Sequence, residues 1–432
     1  MLALHTSTQD VRRPAHPNLL SARTRRGGWV STLGMTASTT KRPTLQGLVT
    51  GYPGLVAKPL LRRLLEAHPR ARLTVLVEEG RRKDADDDLS RLPAAQRKRV
   101  QVVVGDVGKM DLGLAGLELE ALKGLTHVFH LAGIQSATAD RAVLQRVNVD
   151  GVRNILTFAR ELTKLDRFVH FSSCFVAGDR QGVILEEDLD EITARRTPYE
   201  DSKMRGEKLV RAAMADLPVT IIRPSVVVGD TSTGEVDRFD GVYAMGILIV
   251  TSPISVPLPL PGPGLGPLHV VPVDYLTRAV CHLAADERAR GKTFHVVDPN
   301  PLSARRAYEL VAARAGKKLP APPKSLSSSV AFSLAAHSGS ALLSSLASSF
   351  AGSLVNAVKT PGLDRVKRSV AAVEMFDRFV LFNAANTTQL LAGTDIVCPR
   401  FDTYVDALVG FVQESLRKER KRKTKIDNDP LA

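Results

Sequence analysis

Cysteine is scarce: Cys174, Cys281 and Cys398 are the three in 432 residues, and they lie too far apart for a CxxC pair or a metal-spaced cluster. That argues against a disulfide framework and against a zinc site, and it suits a reducing compartment, so a cytoplasmic location is expected. Charge is absent from residues 241–273 and 325–358, yet neither stretch reads as a membrane span. The first is interrupted by Pro253, Pro257, Pro259, Pro261, Pro263, Pro267 and Pro272, which forbid a continuous helix. In the second, twelve of 34 residues are serine, with His337 and Asn356 adding further polarity. No sustained apolar core follows the early arginines, so no secretory signal is expected.

The formal charge of +14 raises the question of a polyanionic partner. It is concentrated at the ends: residues 1–42 carry +6, residues 414–432 carry +3, and the central 371 residues share +5. Basic ends of this kind are usually solvated, so no specific nucleic-acid partner is expected.

The chain divides into an extension over 1–43 without apolar periodicity, a dinucleotide-binding region over 44–320, a helical C-terminal extension over 321–413 and a basic tail over 414–432. The first segment reads as a floppy extension or the product of a start upstream of Met35, with a transit peptide as the alternative. From Leu45 onward, short apolar runs alternate with helical stretches. The runs are 45–50, 73–77, 100–104, 127–131, 168–171, 219–222 and 293–297; helices are expected at 55–67, 142–165 and 199–215. Alternation of this kind predicts an α/β fold, a Rossmann-like doubly wound parallel sheet, with ligands at the carboxyl ends of its strands. A smaller substrate-side region and a helical C-terminal extension should complete it. Two later helices, near 274–287 and 303–315, have Asp274 and Ser303 as candidate N-caps, and another starts near Phe401. A four-residue stripe, Leu342, Leu346, Phe350, Leu354 and Val358, suits one face of a helix packed on the body.

The first run leads into Thr50-Gly51-Tyr52-Pro53-Gly54-Leu55-Val56-Ala57 and then directly into a helical pattern. Gly51 allows a tight turn, Gly54 lets backbone approach a pyrophosphate, and Ala57 is small enough for close helix–strand packing. Glu78, 21 residues after Ala57 and just past the second strand, can accept from adenosine ribose hydroxyls, which favours NAD(H). Arg81 and Arg82 would reverse this by pairing with a 2′-phosphate if the following loop folds back. Asp106 and Val107 end the third strand, and Leu131, Ala132 and Gly133 the fourth, beside the expected cofactor. Asp106 reads either as an adenine contact or as an ordinary turn residue.

Tyr199 and Lys203 stand four apart, so they share a helix face and an ammonium can sit beside a phenol. A nearby cation favours phenolate and moves the group toward acid/base chemistry near neutral pH. Ser173 comes 26 residues earlier, at the end of the preceding strand, where its hydroxyl can stabilise charge on a substrate oxygen. His130, His269 and His295 lie in strand-like runs and read as structural.

From about 45 to 320 the chain resembles the extended short-chain dehydrogenase/reductases, and within them the thioester reductase and fatty acyl-CoA reductase (male-sterility-type) branch. The resemblance is carried by Thr50 to Ala57, Ser173 to Gly178, Pro198 to Lys203 with Glu207 to Val210, and Ile222 to Asp230. Thr233-Gly234-Glu235 and Cys398 to Tyr404 extend it. It implies Tyr199 as acid/base, Lys203 as its activator and a cofactor-ribose contact, and Ser173 as partner of the carbonyl oxygen. It further implies Asn148 as support for a proton relay, and Pro224, Ser225 and Val226 beside the nicotinamide; Asn148 otherwise reads as a polar residue buried in a helix. The function implied is NAD(P)-dependent hydride transfer to or from a thioester, acyl or other apolar carbonyl. An epimerase, dehydratase or sterol-type dehydrogenase uses the same scaffold, and a non-catalytic dinucleotide sensor is the alternative from another class.

Overall fold

The structure is a computed structural model, and it describes residues 44–135, 139–189, 196–236, 242–251, 264–319 and 379–427. The extension over 1–43 and the stripe from Leu342 to Val358 lie outside these residues. In chain order the elements are β1 (Gln46–Thr50), α1 (Ala57–Ala67), β2 (Arg72–Val77), α2 (Arg82–Ser90), α3 (Ala94–Arg97), β3 (Val100–Val104) and α4 (Gly116–Leu122). There follow β4 (His127–His130), α5 (Arg141–Leu144), a π-helical turn over Gln145–Asp150, α6 (Gly151–Arg160), β5 (Arg167–Phe171), β6 (Gly182–Ile184) and α7 (Pro198–Ala212). The last group is β7 (Val219–Pro224), β8 (Val226–Val228), α8 (Val242–Thr251), β9 (Val270–Pro272), α9 (Val273–Ala285), β10 (Lys292–Val296), α10 (Ala304–Arg314), β11 (Val380–Phe382), α11 (Ala385–Leu391) and α12 (Phe401–Asp427).

Seven parallel strands form the main sheet in the order β10-β7-β5-β4-β1-β2-β3. Each of the seven apolar runs read from the sequence is one of these strands. Because side chains alternate across a strand, the sheet buries both faces. Val49, Phe129, Val169 and Ile222 face one core with α1 and α9; Leu48, Val128, Phe168 and Ile221 face the other with α6 and α7. In α1, Leu60, Leu61, Leu64 and Leu65 recur at helical spacing and are at most 1% exposed, each contributing about 1.5–3 kcal/mol relative to exposure.

Two local details differ from the sequence reading. The apolar spacing predicts one helix from Ala142 to Leu165; the helix ends at Arg160 and contains the π-helical turn. Asp274 does not cap α9. It lies in the first turn, where its carboxylate accepts from the Thr231 hydroxyl at 2.7 Å, while Pro272 holds the cap position. Ser303 does cap α10, accepting from Arg306 N at 3.3 Å.

Beyond the sheet, β8 pairs with β9, and α8, α10 and α12 pack into a third core with them. The chain then returns: β11 lies parallel to β6, and α11 packs near β10. Glu186 ties this return to the sheet by accepting from His295 N (2.9 Å) and Asn386 N (2.7 Å). No described helix is long and apolar enough to cross a membrane.

Candidate active site

β1 has β2 on one side and β4 on the other, so the strand order reverses at its carboxyl end, the place where open parallel sheets take ligands. Gly51 leaves β1 with φ +78°, and a Cβ there would stand 2.7 Å from Ala132 N. One on Gly54 would stand 2.7 Å from the Gly51 carbonyl oxygen, on which Gly54 N closes the turn at 2.8 Å. Both positions thus admit only glycine, and the turn brings Leu55, Val56 and the amino end of α1 to the strand end, an arrangement suited to a pyrophosphate. Tyr52 is buried with its phenol donating to Asp88 on α2, so that side chain is already engaged. Burial pushes its pKa far up, and the Asp88 carboxylate adds to the effect.

Thr50 fastens the next strand end: its hydroxyl oxygen accepts from Leu131 N and Ala132 N, each at 3.1 Å. Gly133 follows, and a Cβ on it would lie 3.2 Å from Asn148 Oδ1 and 3.7 Å from Lys203 Nζ. Asp106 accepts from Gly108 N (2.8 Å) and pairs with Arg146 (2.7 Å), which makes it a braced turn residue. Val107 is 4% exposed and packs in the core beside α6. Glu78 is exposed and precedes a 3-10 turn, Glu79–Arg81, which folds the chain back so that Arg81 donates to the Pro53 carbonyl at 3.4 Å. Arg82 pairs instead with Asp86, at 2.9 Å, on its own helix. Pro224 ends β7; Ser225 is buried, with its hydroxyl unpartnered among the described residues, and Val226 N donates to the His269 carbonyl at 3.2 Å. Glycines that a Cβ would obstruct, together with an open hydroxyl at the end of β7, fit a bound dinucleotide.

The catalytic candidates gather above these strand ends. A capping box fixes the start of α7: Glu200 accepts from Thr197 N (2.7 Å) and Thr197 accepts from Glu200 N (3.2 Å), with Pro198 at the first helical position. Tyr199 therefore sits in the first turn. Ser173, just past β5, caps a 3-10 turn over Cys174–Ala177, and Gly178 closes that turn with φ +68°. Burial pushes the Tyr199 phenol up to about 12, and the Ser173 hydroxyl pulls it the other way. Lys203 donates to the Phe171 carbonyl at 2.7 Å; burial brings it down to about 8, with Glu207 opposing. Asn148 lies in the π-helical turn, its amide accepting from Ile134 N (2.8 Å) and donating to Ser202 Oγ (2.9 Å). Lys203, Asn148 and Gly133 thus form one group, and Ser173 acts on the Tyr199 phenol, while Val107 and the Tyr52 phenol stand apart in the core and against α2.

Residues 49–280 match the model of an NAD-binding family described as male sterility protein. The chain belongs to this family. It is similar to a linear gramicidin synthase of Brevibacillus parabrevis, at 28% identity over 271 residues covering 59% of this chain and 5% of that protein. It is also similar to fatty acyl-CoA reductase wat of Drosophila melanogaster, at 26% identity covering 55% of this chain and 53% of that one. The chain therefore spans about half or less of the length of these curated relatives. Among solved structures, the terminal R domain from the myxalamid PKS-NRPS biosynthetic pathway superposes with a TM-score of 0.67 at 25% identity, covering 86% of this chain and 91% of that one. UDP-glucuronic acid 4-epimerase from Bacillus cereus in complex with NAD, at 15% identity and a TM-score of 0.58 over 86% of this chain and 97% of that one, shares the fold.

This member of the male sterility family holds, around the candidate site, residues to which the sequence reading gave no structural part. Glu207, 0% exposed, accepts from Arg223 (2.7 and 2.9 Å), Arg211 (2.9 Å) and Ser172 (2.5 Å). Its signal was available: it lies four residues after Lys203 on the same helix face, and Arg223 is a charge inside an apolar strand. Gly206 was equally silent, although a Cβ there would lie 2.4 Å from the Asn148 carbonyl oxygen. Its absence of side chain lets α7 rest on the π-helical turn.

Proposed function

We propose that the chain is an NAD(P)-dependent reductase acting on the carbonyl of an acyl thioester or a related apolar compound. The observation that carries this reading is the placement of Lys203 at the glycine-lined strand ends, its Nζ 3.7 Å from where a Gly133 Cβ would stand, with Tyr199 in the first turn of the same helix. Gly51, Gly54, Gly133 and Ser225 would hold the dinucleotide, and a bound reduced nicotinamide would supply hydride to the carbonyl carbon. With its pKa raised to about 12, the Tyr199 phenol is protonated at neutral pH, which suits it to donate its proton to the carbonyl oxygen. Ser173 hydrogen-bonds that oxygen as charge develops on it, and Lys203 and Asn148 hold the adjoining edge of the site.

An apolar substrate is supported by the character of the region between β8, β9, α8, α10 and α12, where Val228, Tyr308, Val311, Phe401, Leu408 and Val412 surround a cavity of about 50 Å³ that would have to widen to admit an acyl chain. Leu55 and Val226 pack against the same apolar cluster, so it adjoins the cofactor turn. Arg81, folded back toward Pro53, supports a preference for NADP(H) over the NAD(H) favoured by Glu78 alone. Three unpaired cysteines suit a reducing compartment, and a cytoplasmic location is part of this reading.

The test is oxidation of NADPH and NADH by the full chain against acyl-CoAs, aldehydes, ketosteroids and nucleotide sugars. Turnover is expected with the acyl-CoAs or aldehydes, and Tyr199→Phe should lower it by at least about 100-fold while cofactor affinity stays within a few-fold. Full activity in Tyr199→Phe, or turnover confined to nucleotide sugars, would overturn the proposal.

A further inference from the structure

Ser172 stands between the end of β5 and the candidate Ser173, and both serines are buried. Its main chain and its side chain are both tied down. Ser172 N donates to the Ile222 carbonyl of β7 at 2.8 Å, and its hydroxyl donates to Glu207 Oε2 at 2.5 Å. Glu207 follows Lys203 by one turn of α7, and Lys203 Nζ donates to the carbonyl of Phe171, the residue before Ser172, at 2.7 Å. Consecutive turns of one helix face thus grip consecutive residues of the strand end: Lys203 holds Phe171 and Glu207 holds Ser172.

The bond from Ser172 is not needed to balance the Glu207 charge. An ionised carboxylate has roughly four acceptor positions. Arg223 fills one on each oxygen (2.9 and 2.7 Å) and Arg211 fills another on Oε1 (2.9 Å), so two guanidinium groups already answer one carboxylate. The position left on Oε2 goes to the strand end beside Ser173.

Arg223 reaches the other flank of Ser173 as well, because its carbonyl oxygen accepts from Cys174 Sγ at 3.2 Å. Ser173 therefore lies between two residues whose side chains are both fastened to the Glu207–Arg223 pair. Its own backbone is extended, with φ −160° and ψ 148°, and its hydroxyl oxygen accepts from Phe175 N at 3.2 Å. Since successive side chains of an extended segment point in opposite directions, a rotation at Ser172 would swing Ser173 Oγ away from its present direction. The bond from the Ser172 hydroxyl to Glu207 opposes that rotation.

We propose that Ser172 is a positioning residue for Ser173: anchored on Glu207, it fixes the direction in which Ser173 presents its hydroxyl to the substrate carbonyl oxygen. The inference rests on the reading of Ser173 as the partner of that oxygen, and it gives a part in the reaction to a buried side chain turned toward Glu207.

The experiment is a double-mutant cycle in the full chain, with NADPH and either decanoyl-CoA or decanal. Ser172→Ala should lower kcat by at least about tenfold, as displacement of a catalytic group does, with KM for NADPH within about twofold of the parent. Ser172→Thr, which keeps the hydroxyl, should restore kcat to within about threefold. In a Ser173→Ala background, Ser172→Ala should cost nothing further, because Ser172 acts only through Ser173. Equal losses from Ser172→Ala in the two backgrounds, or an unchanged kcat in Ser172→Ala when Ser173→Ala is impaired, would overturn the proposal and leave Ser172 as packing. A fully active Ser173→Ala would instead remove Ser173 from the mechanism, and the inference with it. Deuterium uptake over residues 171–178 of the cofactor-free chain gives a reading without substrate: its rate should rise about tenfold in Ser172→Ala and return in Ser172→Thr, and an unmoved rate refutes the anchoring.

Discussion

Replacing Glu207 with Gln isolates the ion-pair cluster under the catalytic helix. In the parent protein Glu207 and Arg223 are both 0% exposed, joined by two hydrogen bonds of 2.7 and 2.9 Å, with Arg211 and Ser172 also bonded to the carboxylate. Glutamine keeps one acceptor and turns an amide N–H toward a guanidinium that can only donate, so Arg223 becomes a buried cation without a counter-charge. Breaking one partner of a buried pair costs about 3–5 kcal/mol. The Arg223 bonds to the Asp188 carbonyl (2.7 Å) and His295 (3.2 Å) survive, which places the expectation at the lower end of that range. At about 2 °C per kcal/mol for a large domain, the melting temperature at pH 7 should fall by roughly 6–8 °C. The pH dependence supplies a second check. Burial pushes the Glu207 carboxyl up, but Arg223, Arg211 and the Ser172 hydroxyl outweigh it and hold the group below its usual value. Its stabilisation is therefore complete above the unfolded-state value of about 4.3 and is lost as pH falls through the lower folded-state value. Denaturant midpoints of parent and variant should converge below about pH 4. A change under 2 °C at pH 7, or a gap that persists undiminished at pH 3, would refute the argument.

Gly206→Ala would drive a methyl group to 2.4 Å from the Asn148 carbonyl oxygen, so α7 must shift; a loss of about 1–3 kcal/mol by urea unfolding and weaker NADPH binding are expected, and an unchanged midpoint would contradict this. Arg81→Ala should weaken NADP(H) binding about tenfold, or about 1.4 kcal/mol, and leave NAD(H) unaffected. If instead the parent prefers NAD(H), Arg81→Ala is silent and Glu78→Gln shifts the ratio of dissociation constants toward NADP(H), Glu78 governs the choice.

Local pattern made the sheet legible. Apolar runs such as Leu73 to Val77 and Phe168 to Phe171, set between amphipathic helices, specify buried parallel strands, because a strand covered on both faces shows no alternation. The glycine turn and the Tyr199, Lys203 and Ser173 set were legible for a similar reason, since each lies at a strand end or on one helix face. What local pattern does not encode is long-range partnership. Arg223 announces itself as a charge in an apolar strand, but nothing adjacent names Glu207 as its counter-charge. The pairing of β11 with β6 joins Val380 to Gly182, and three-residue strands carry too short a period to be recognised. The π-helical turn escaped because one extra residue within an otherwise helical pattern leaves its polar and apolar spacing nearly intact.

The family match ends at residue 280, inside α9, whereas the parallel sheet continues to β10 at Lys292–Val296. A chain truncated at the homology boundary would cut that helix short and uncover one side of β7, whose six residues are all buried and carry no protective proline before Pro224. An apolar strand left with a free row of N–H and C=O groups is a template for pairing with another molecule. Such a fragment is expected to precipitate or form intermolecular sheet, and that behaviour would report an orphaned strand edge.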